Sequence, residues 1–271
     1  MPQGRQIEHV GEALVLRTWP FLEADLLVSL FTREHGRLKG VARHALRSRR
    51  RFGGALEPMS HVRAHWTERP RRGQSLDADL VRLDSFELIS SPLSAAINYP
   101  RLVALELLAE VLDELPEGAA DDPIFRLTLA TLAALESGPP ALPVAYFCLW
   151  MNRLMGWLPE LHRCVVCGEP LLGPQARPAF YAPTADGLTC ADDRRPGSLS
   201  LPPALLLDAQ TMLRESLITL AAEAWQAKRA AAVRSFALDL LERHMDRRIA
   251  AGRAIRRADL TPQAGHVQVP K

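Results

Sequence analysis

Residues 12–42 read EALVLRTWPFLEADLLVSLFTREHGRLKGVA, and this stretch carries three β-rich runs. Glu12–Arg17 (EALVLR) and Leu26–Phe31 (LLVSLF) are separated by Pro20 and a polar turn. Glu34-His35-Gly36 predicts a tight hairpin into Arg37–Ala42, with Gly36 supplying a positive φ. Further along, residues 61–66 alternate, with Val62, Ala64 and Trp66 on one face and His61, Arg63 and His65 on the other. The pattern returns from Leu76, where Leu76, Ala78 and Leu80 oppose Asp77 and Asp79. A period of two marks a half-buried antiparallel strand. Five such strands separated by Gly, Pro and polar turns predict a small Greek-key barrel of the OB-fold kind.

Beyond Ser91-Pro92, read as an N-cap followed by proline at the first helical position, the period changes to 3.6. Leu105, Leu108, Leu112 and Leu115 form one stripe; Phe147, Met151, Leu154 and Leu158 form a second. A third runs through Leu206, Leu213, Leu217 and Leu220. A fourth runs through Val233, Phe236, Leu240, Leu241, Met245 and Ile249. Such stripes are the core-facing surfaces of packed helices. The expected architecture is therefore multidomain α+β: an OB-fold barrel over residues 1–84, then an all-α domain over 85–260. A cysteine-bearing, zinc-knuckle-like insertion occupies 159–203, and 261–271 reads as a disordered tail.

The chain has 271 residues and is 48% hydrophobic, enough to build a packed core. No stretch is long and apolar enough to span a bilayer, and the polar start MPQGRQIEHV lacks a signal-peptide hydrophobic region, so a cytoplasmic protein is expected. The net charge of +2 conceals a strong asymmetry: Arg33 to Arg72 contains 12 basic residues against 3 acidic ones. A local surplus of that size predicts a polyanionic partner. Arg43 to Arg51 holds five arginines and no acid, follows a predicted strand and ends in Gly53-Gly54, so a mobile basic loop or short helix is expected there. The candidate phosphate-binding residues are Arg37, Lys39, Arg43, Arg47, Arg49, Arg50 and Arg51, with Arg69, Arg71 and Arg72 on a second tip. Phe52 is the candidate for stacking on a base, whereas Trp66 reads as core. A further arginine group (Arg243, Arg247, Arg248, Arg253, Arg256, Arg257) either extends this surface or solvates the last helix.

Cys164-Val165-Val166-Cys167-Gly168 is a C-x-x-C-G turn that aims two sulfurs at one centre, and Cys190 follows. Tetrahedral zinc takes four donors, commonly from two such knuckles. The second knuckle reads Cys190-Ala191-Asp192-Asp193, so the candidate ligand set is Cys164, Cys167, Cys190 and Asp193, with His162 and Asp192 as alternative fourth donors. A structural zinc competes with a site that has lost its metal. A redox C-x-x-C lacks the strand-to-helix setting that such motifs occupy. Cys148, within the second stripe, reads as a small buried hydrophobe. No phosphate-binding P-loop, nucleophile elbow, H-x-E or H-E-x-x-H motif occurs, which argues against an enzyme and against a small-molecule substrate.

The ALVLRTWPFLEADLLVSLFTREHGRLKGVARHALRS run, Gly53-Gly54-Ala55-Leu56-Glu57-Pro58 after it, and the Cys164 to Cys190 spacing together resemble the bacterial RecO family of recombination mediators. The likeness extends to about Arg248, and it departs at Asp193, where the family's last cysteine would stand. It implies a non-enzymatic DNA repair and homologous recombination mediator acting near the nucleoid. Such a protein binds single- and double-stranded DNA, promotes annealing and helps load the recombinase RecA onto coated single strands. It also implies RecR and the C-terminal tail of single-stranded-DNA-binding protein as partners. The competing expectation is an OB-fold RNA-binding factor without catalytic activity.

Overall fold

The structure, a computed structural model, describes residues 7–68, 80–94, 98–182, 187–223 and 225–258. Its N-terminal part is a five-stranded mixed sheet: β1 (Ile7–Phe21), β2 (Asp25–Thr32), β3 (Gly36–Ala42), β4 (His61–Glu68) and β5 (Val81–Ser90). The sheet closes in the order β1-β2-β3-β5-β4, because the long β1 pairs antiparallel with β2 along its second half and with β4 along its first. One rung is parallel, Gly40 with Val81 to Ala42 with Leu83. A Cβ on Gly40 would stand 2.7 Å from side-chain atoms of both Val81 and Leu83, so glycine is what lets the two backbones meet. The alternation seen in the sequence points Ala13, Val15, Leu26, Val28, Leu30, Val62, Ala64 and Trp66 into the barrel.

The hairpin between β2 and β3 forms where Glu34-His35-Gly36 stands, with Gly36 at φ +65°. A Cβ there would lie 2.4 Å from the backbone of Ala119, so the turn is also pressed against the helical part. Leu76, Ala78 and their neighbours fall outside the described residues. Leu80 precedes the fifth strand, which begins at Val81 and runs through residue 84 to Ser90. The change from strand to helix therefore comes at 91–98 rather than at 84.

Ser91-Pro92 opens only a 3-10 turn over Pro92–Ser94, its first turn held by the Leu93 amide donating to Ser91 Oγ. The first long helix, following α1 (Arg49–Phe52) of the barrel, is α2 (Tyr99–Asp113). Asn98 caps it by accepting from the Arg101 amide, and Pro100 stands in its first turn. It is followed by α3 (Asp122–Ser137), α4 (Ala141–Leu154), α5 (Pro203–Arg214), α6 (Leu217–Ala222), α7 (Ala227–His244) and α8 (Ala250–Ala258). The third leucine stripe is split between α5 and α6 by a break at Glu215-Ser216, and the fourth runs past the end of α7, with Met245 and Ile249 in the connection to α8. Asn152 of α4 donates to the carbonyls of Cys148 and of Ala237 on α7, fastening the two central helices. Cys148 is fully buried and burial pushes its thiol pKa up to about 12.

The insertion is less irregular than its prolines suggest. β6 (Ala179–Tyr181), β7 (Leu188–Thr189) and β8 (Leu199–Leu201) form a small sheet in the order β7-β6-β8. Leu161, Leu171, Ala179, Tyr181, Leu188 and Leu201 join the helical core. The barrel contributes to the same core: Leu14, Leu16, Phe31 and Met59 leave its outer surface and pack among the helices. Residues 261–271, read as a disordered tail, lie outside the described residues.

Candidate nucleic-acid interface and metal centre

The basic stretch folds as a compact cap. After β3 the chain turns at His44, in the left-handed region at φ 54°, makes a 3-10 turn over Ala45–Arg47 and then forms α1. Asp25 Oδ1 accepts from the His44 amide at 2.7 Å, and the Leu46 amide donates to Ala24 O. Ala45, Phe52 and Ala55 are buried in the barrel interior, and Phe52 meets Phe86 edge-on at 5.3 Å. Phe52 is thus a core residue with 1% of its surface exposed, and its expected role in base stacking is withdrawn. Of the mobile loop and the short helix expected for this stretch, the short helix forms. Trp66 is core, as its apolar neighbours implied.

Burying Phe52 turns the arginines of this cap outward. Arg43, Arg47 and Arg50 are exposed and engage in no ion pair among the described residues. Arg51 is spent on the cap itself: Nη2 donates to Arg43 O at 2.5 Å, Nε to Ser48 Oγ at 3.2 Å, and the guanidinium lies 5.2 Å from the Phe52 ring centre. The Arg49 side chain, and Arg69, Arg71 and Arg72 entirely, lie outside the described residues. Lys39 is half-buried on the outer face of β3, directly across from Ser29.

Arg37 is corrected as a phosphate-binding candidate. Its Nε donates to Leu115 O at 2.6 Å, and Nη1 lies 3.2 Å from Glu117 and 3.9 Å from Asp113. Asp113 also accepts from Ser29 Oγ at 2.6 Å and lies 3.6 Å from Arg17. Arg33 pairs with Asp122 at 2.5 Å and with Glu12 at 3.5 Å, and its guanidinium is held above its ordinary pKa chiefly by Asp122. These arginines join barrel to helices, and strand alternation alone cannot reveal that, because their carboxylates lie about 80 residues away in the sequence. Alternation does point to Arg63, which sequence reasoning passed over: it is exposed on β4 and forms no ion pair among the described residues.

Four of the C-terminal arginines, Arg243, Arg247, Arg248 and Arg256, are likewise engaged. Arg256 pairs with Asp239 at 2.8 Å and Arg248 with Glu242 at 2.9 Å. Arg247 contacts Glu114, and Arg243 donates to Tyr181 Oη. This group staples α7, α8 and the insertion together.

The cysteine cluster forms as its spacing predicts. The Gly168 amide donates to Cys164 O, the Cys164 amide to Glu169 O, and the Val165 amide to Leu188 O beside β7, so both knuckles are tied together by backbone. The sulfurs of Cys164, Cys167 and Cys190 and a carboxylate oxygen of Asp193 all lie within 4.8 Å of one another. Cys167 Sγ and Cys190 Sγ are 3.8 Å apart; sulfurs about 2.3 Å from a shared tetrahedral centre stand about 3.8 Å apart. Asp193 Oδ2 is 3.2 Å from Cys164 Sγ and 3.3 Å from Cys190 Sγ. The two alternative fourth donors are held by other partners. Asp192 pairs with Arg177 at 2.7 Å, which holds its carboxyl below the usual range, and His162 Nδ1 meets Gln210 at 2.8 Å.

Hydrogen bonds from the thiols of Cys167, Cys164 and Cys190 keep the Asp193 carboxyl below the usual carboxylate range. The same carboxylate drives the Cys167 thiol up to about 12. Burial raises the Cys164 thiol, but the amides of Cys167, Cys190 and Val166 outweigh it and the net shift is downward. Binding a cation here displaces the thiol protons, and the ion then neutralises the three thiolates and the carboxylate that face one point. The donor set fits a soft or borderline divalent metal.

Among the described residues no helix is long and apolar enough to cross a membrane. Two family models cover the chain: the N-terminal part of recombination protein O matches residues 7–91, and its C-terminal part matches residues 98–252. A DNA repair protein RecO from Koribacter versatilis is 47% identical over 240 residues, covering 88% of this chain and 94% of that protein. One from Bifidobacterium adolescentis is 34% identical over 191 residues, covering 69% and 74%. One from Anaeromyxobacter sp. strain K is 32% identical over 245 residues, covering 89% and 92%.

Proposed function

Because the chain belongs to the RecO family of DNA repair proteins, we propose that it is a recombination mediator whose barrel grips DNA through the outward face of the α1 cap. Arg43, Arg47 and Arg50 are the principal phosphate contacts; Arg49, Arg69, Arg71 and Arg72 belong to the same basic stretch of sequence, and Lys39 and Arg63 extend it along the barrel. The observation that carries this reading is the division of labour among the arginines. Arg33 and Arg37 are tied to carboxylates of the helical part, whereas the cap's three are exposed and meet no carboxylate among the described residues.

Phosphate contacts of this kind carry no sequence information and suit single and double strands alike. Annealing follows from the same charge, since screening two strands lowers their mutual repulsion and no bond is made or broken. The helical part docks protein partners, RecR and the acidic C-terminal tail of single-stranded-DNA-binding protein, and through them assists RecA loading in the cytoplasm. Zinc bound by Cys164, Cys167, Cys190 and Asp193 supplies a structural cross-link for the insertion.

Charge reversal at Arg43, Arg47 and Arg50 tests the interface. Each phosphate contact on a single strand contributes roughly −0.7 to the slope of log affinity against log salt, so the triple variant should flatten that slope by about 2. Unchanged affinity and slope in a folded triple variant would reject the interface, and preference for structured RNA over single-stranded DNA would reject the DNA assignment.

A further inference from the structure

At one end of the barrel, remote in sequence from the knuckles, two histidines and a glutamate converge. His9 lies on β1 directly across from Trp66 of β4, and Glu68 stands two residues further along β4 on the same face. His35 comes from the turn between β2 and β3. A ligand atom from each of His9, His35 and Glu68 lies within 4.8 Å of the others. We infer that these three residues form a second binding site for a zinc-class divalent transition ion, independent of the cysteine centre.

Three features favour a ligand over a surface ion pair. His9 Nε2 is sealed from solvent and makes no hydrogen bond among the described residues, although it lies 3.5 Å from Glu68 Oε1. A buried polar nitrogen without a hydrogen-bond partner is destabilising, and a metal bond removes that cost. The separation is also close to the roughly 3.3 Å between two tetrahedral donors placed 2.0–2.1 Å from one centre. Finally, an ion pair needs one imidazole, and here there are two in mutual contact.

Both rings are held from behind. His9 stacks on Trp66 with centroids 5.3 Å apart and planes 10° from parallel, and Trp66 is itself core. His35 stands edge-on to His9 at 4.8 Å and to Trp66 at 5.2 Å. Its backbone amide donates to Thr32 Oγ1, whose hydroxyl donates to Gly36 O, so the turn that carries His35 is rigid. Rigid support of this kind preorganises ligands before the ion arrives. Two imidazole nitrogens and one carboxylate oxygen suit Zn2+, Co2+ or Ni2+ and leave a fourth position for water. The magnesium class is disfavoured by the nitrogen donors. The bound ion would lock the hairpin turn to the β1–β4 edge, next to the Gly36 contact with Ala119.

The test uses the full chain and zinc or cobalt alone as probe. Equilibrium dialysis with zinc should give two ions per wild-type chain, and one in the double variant His35→Gln/Glu68→Gln. Cys164→Ser should retain the ion that the double variant loses. In cobalt titrations the ion lost in the double variant should lack thiolate charge-transfer absorption. Loss of two of three ligands should weaken that ion by more than about tenfold, since even outer partners of metal ligands are worth 10–100-fold. Metal-free melting temperatures of the wild type and double variant should agree, with only the wild type stabilised by a second equivalent. A single ion in wild type that Cys164→Ser abolishes would overturn the inference. So would two ions retained in the double variant. Neither result bears on DNA binding.

Discussion

Phe52 shows how one side chain decides what its neighbours do. Its ring is sequestered against Phe86, and this anchors the cap so that Arg43, Arg47 and Arg50 point away from the barrel. Phe52→Ala should cost about 3 kcal/mol or more in chemical denaturation, the usual price of a large aromatic lost from a core. With its ring in the core and no base contact to lose, the folded variant should keep the wild-type DNA affinity at fixed salt. At this scale the sequence is informative about type and silent about partner. Trp66 was legible because Val62 and Ala64 flank it at the strand period, whereas Phe52 stands among arginines where no period exists. Arg37 and Arg43 look alike in sequence; only the fold separates the one that meets Glu117 from the one left exposed.

Among the elements, the insertion depends most on chemistry outside the backbone. β6, β7 and β8 are two or three residues each, too short for independent stability, and they are strung between turns that end in cysteines. Protein prepared without chelator should carry zinc at this centre, and Cys164→Ser should lower the melting temperature and raise proteolysis between residues 159 and 203. Asp193→Ala should weaken retention at the cysteine centre by at least about tenfold, and Asp192→Ala should leave it intact because that carboxylate serves Arg177. Elemental analysis of freshly purified variants checks both. The knuckle spacing made the three cysteines readable as one cluster, whereas the sequence left the fourth donor open among Asp193, Asp192 and His162. Helix α3 was not readable in the same way, since its buried Ile124, Phe125, Thr128 and Thr131 mix threonine into the apolar face and blur the stripe. The third stripe misled for the opposite reason: its leucines keep helical spacing across a break that Ser216 caps.

Taken whole, the protein is a barrel with an apolar interior of its own and a helical bundle whose core takes in the barrel's outer apolar face, a junction sealed along its rim by Asp113 with Arg17, Ser29 and Arg37. Asp113→Ala removes an ionised acceptor from that rim and should cost about 2 kcal/mol. It should do so in a single cooperative transition, measurable as one denaturant midpoint shifted for barrel and helix probes alike. The change in period near residue 91 made two domains legible, but their fusion was not, since Leu14, Leu16, Phe31 and Met59 carry no mark of which way they face across a sheet apolar on both sides. The parallel rung between Gly40 and Val81 has a further consequence for how the chain is made. A ribosome releases β1 to β4 well before β5, so the nascent barrel stays open along one seam until residues 81–90 emerge. Its outer apolar patch waits longer still, until α2 is synthesised. Translation of this polypeptide therefore passes through an interval in which an unzipped, sticky half-barrel must be shielded, and slow codons placed before residue 81 would lengthen that exposure.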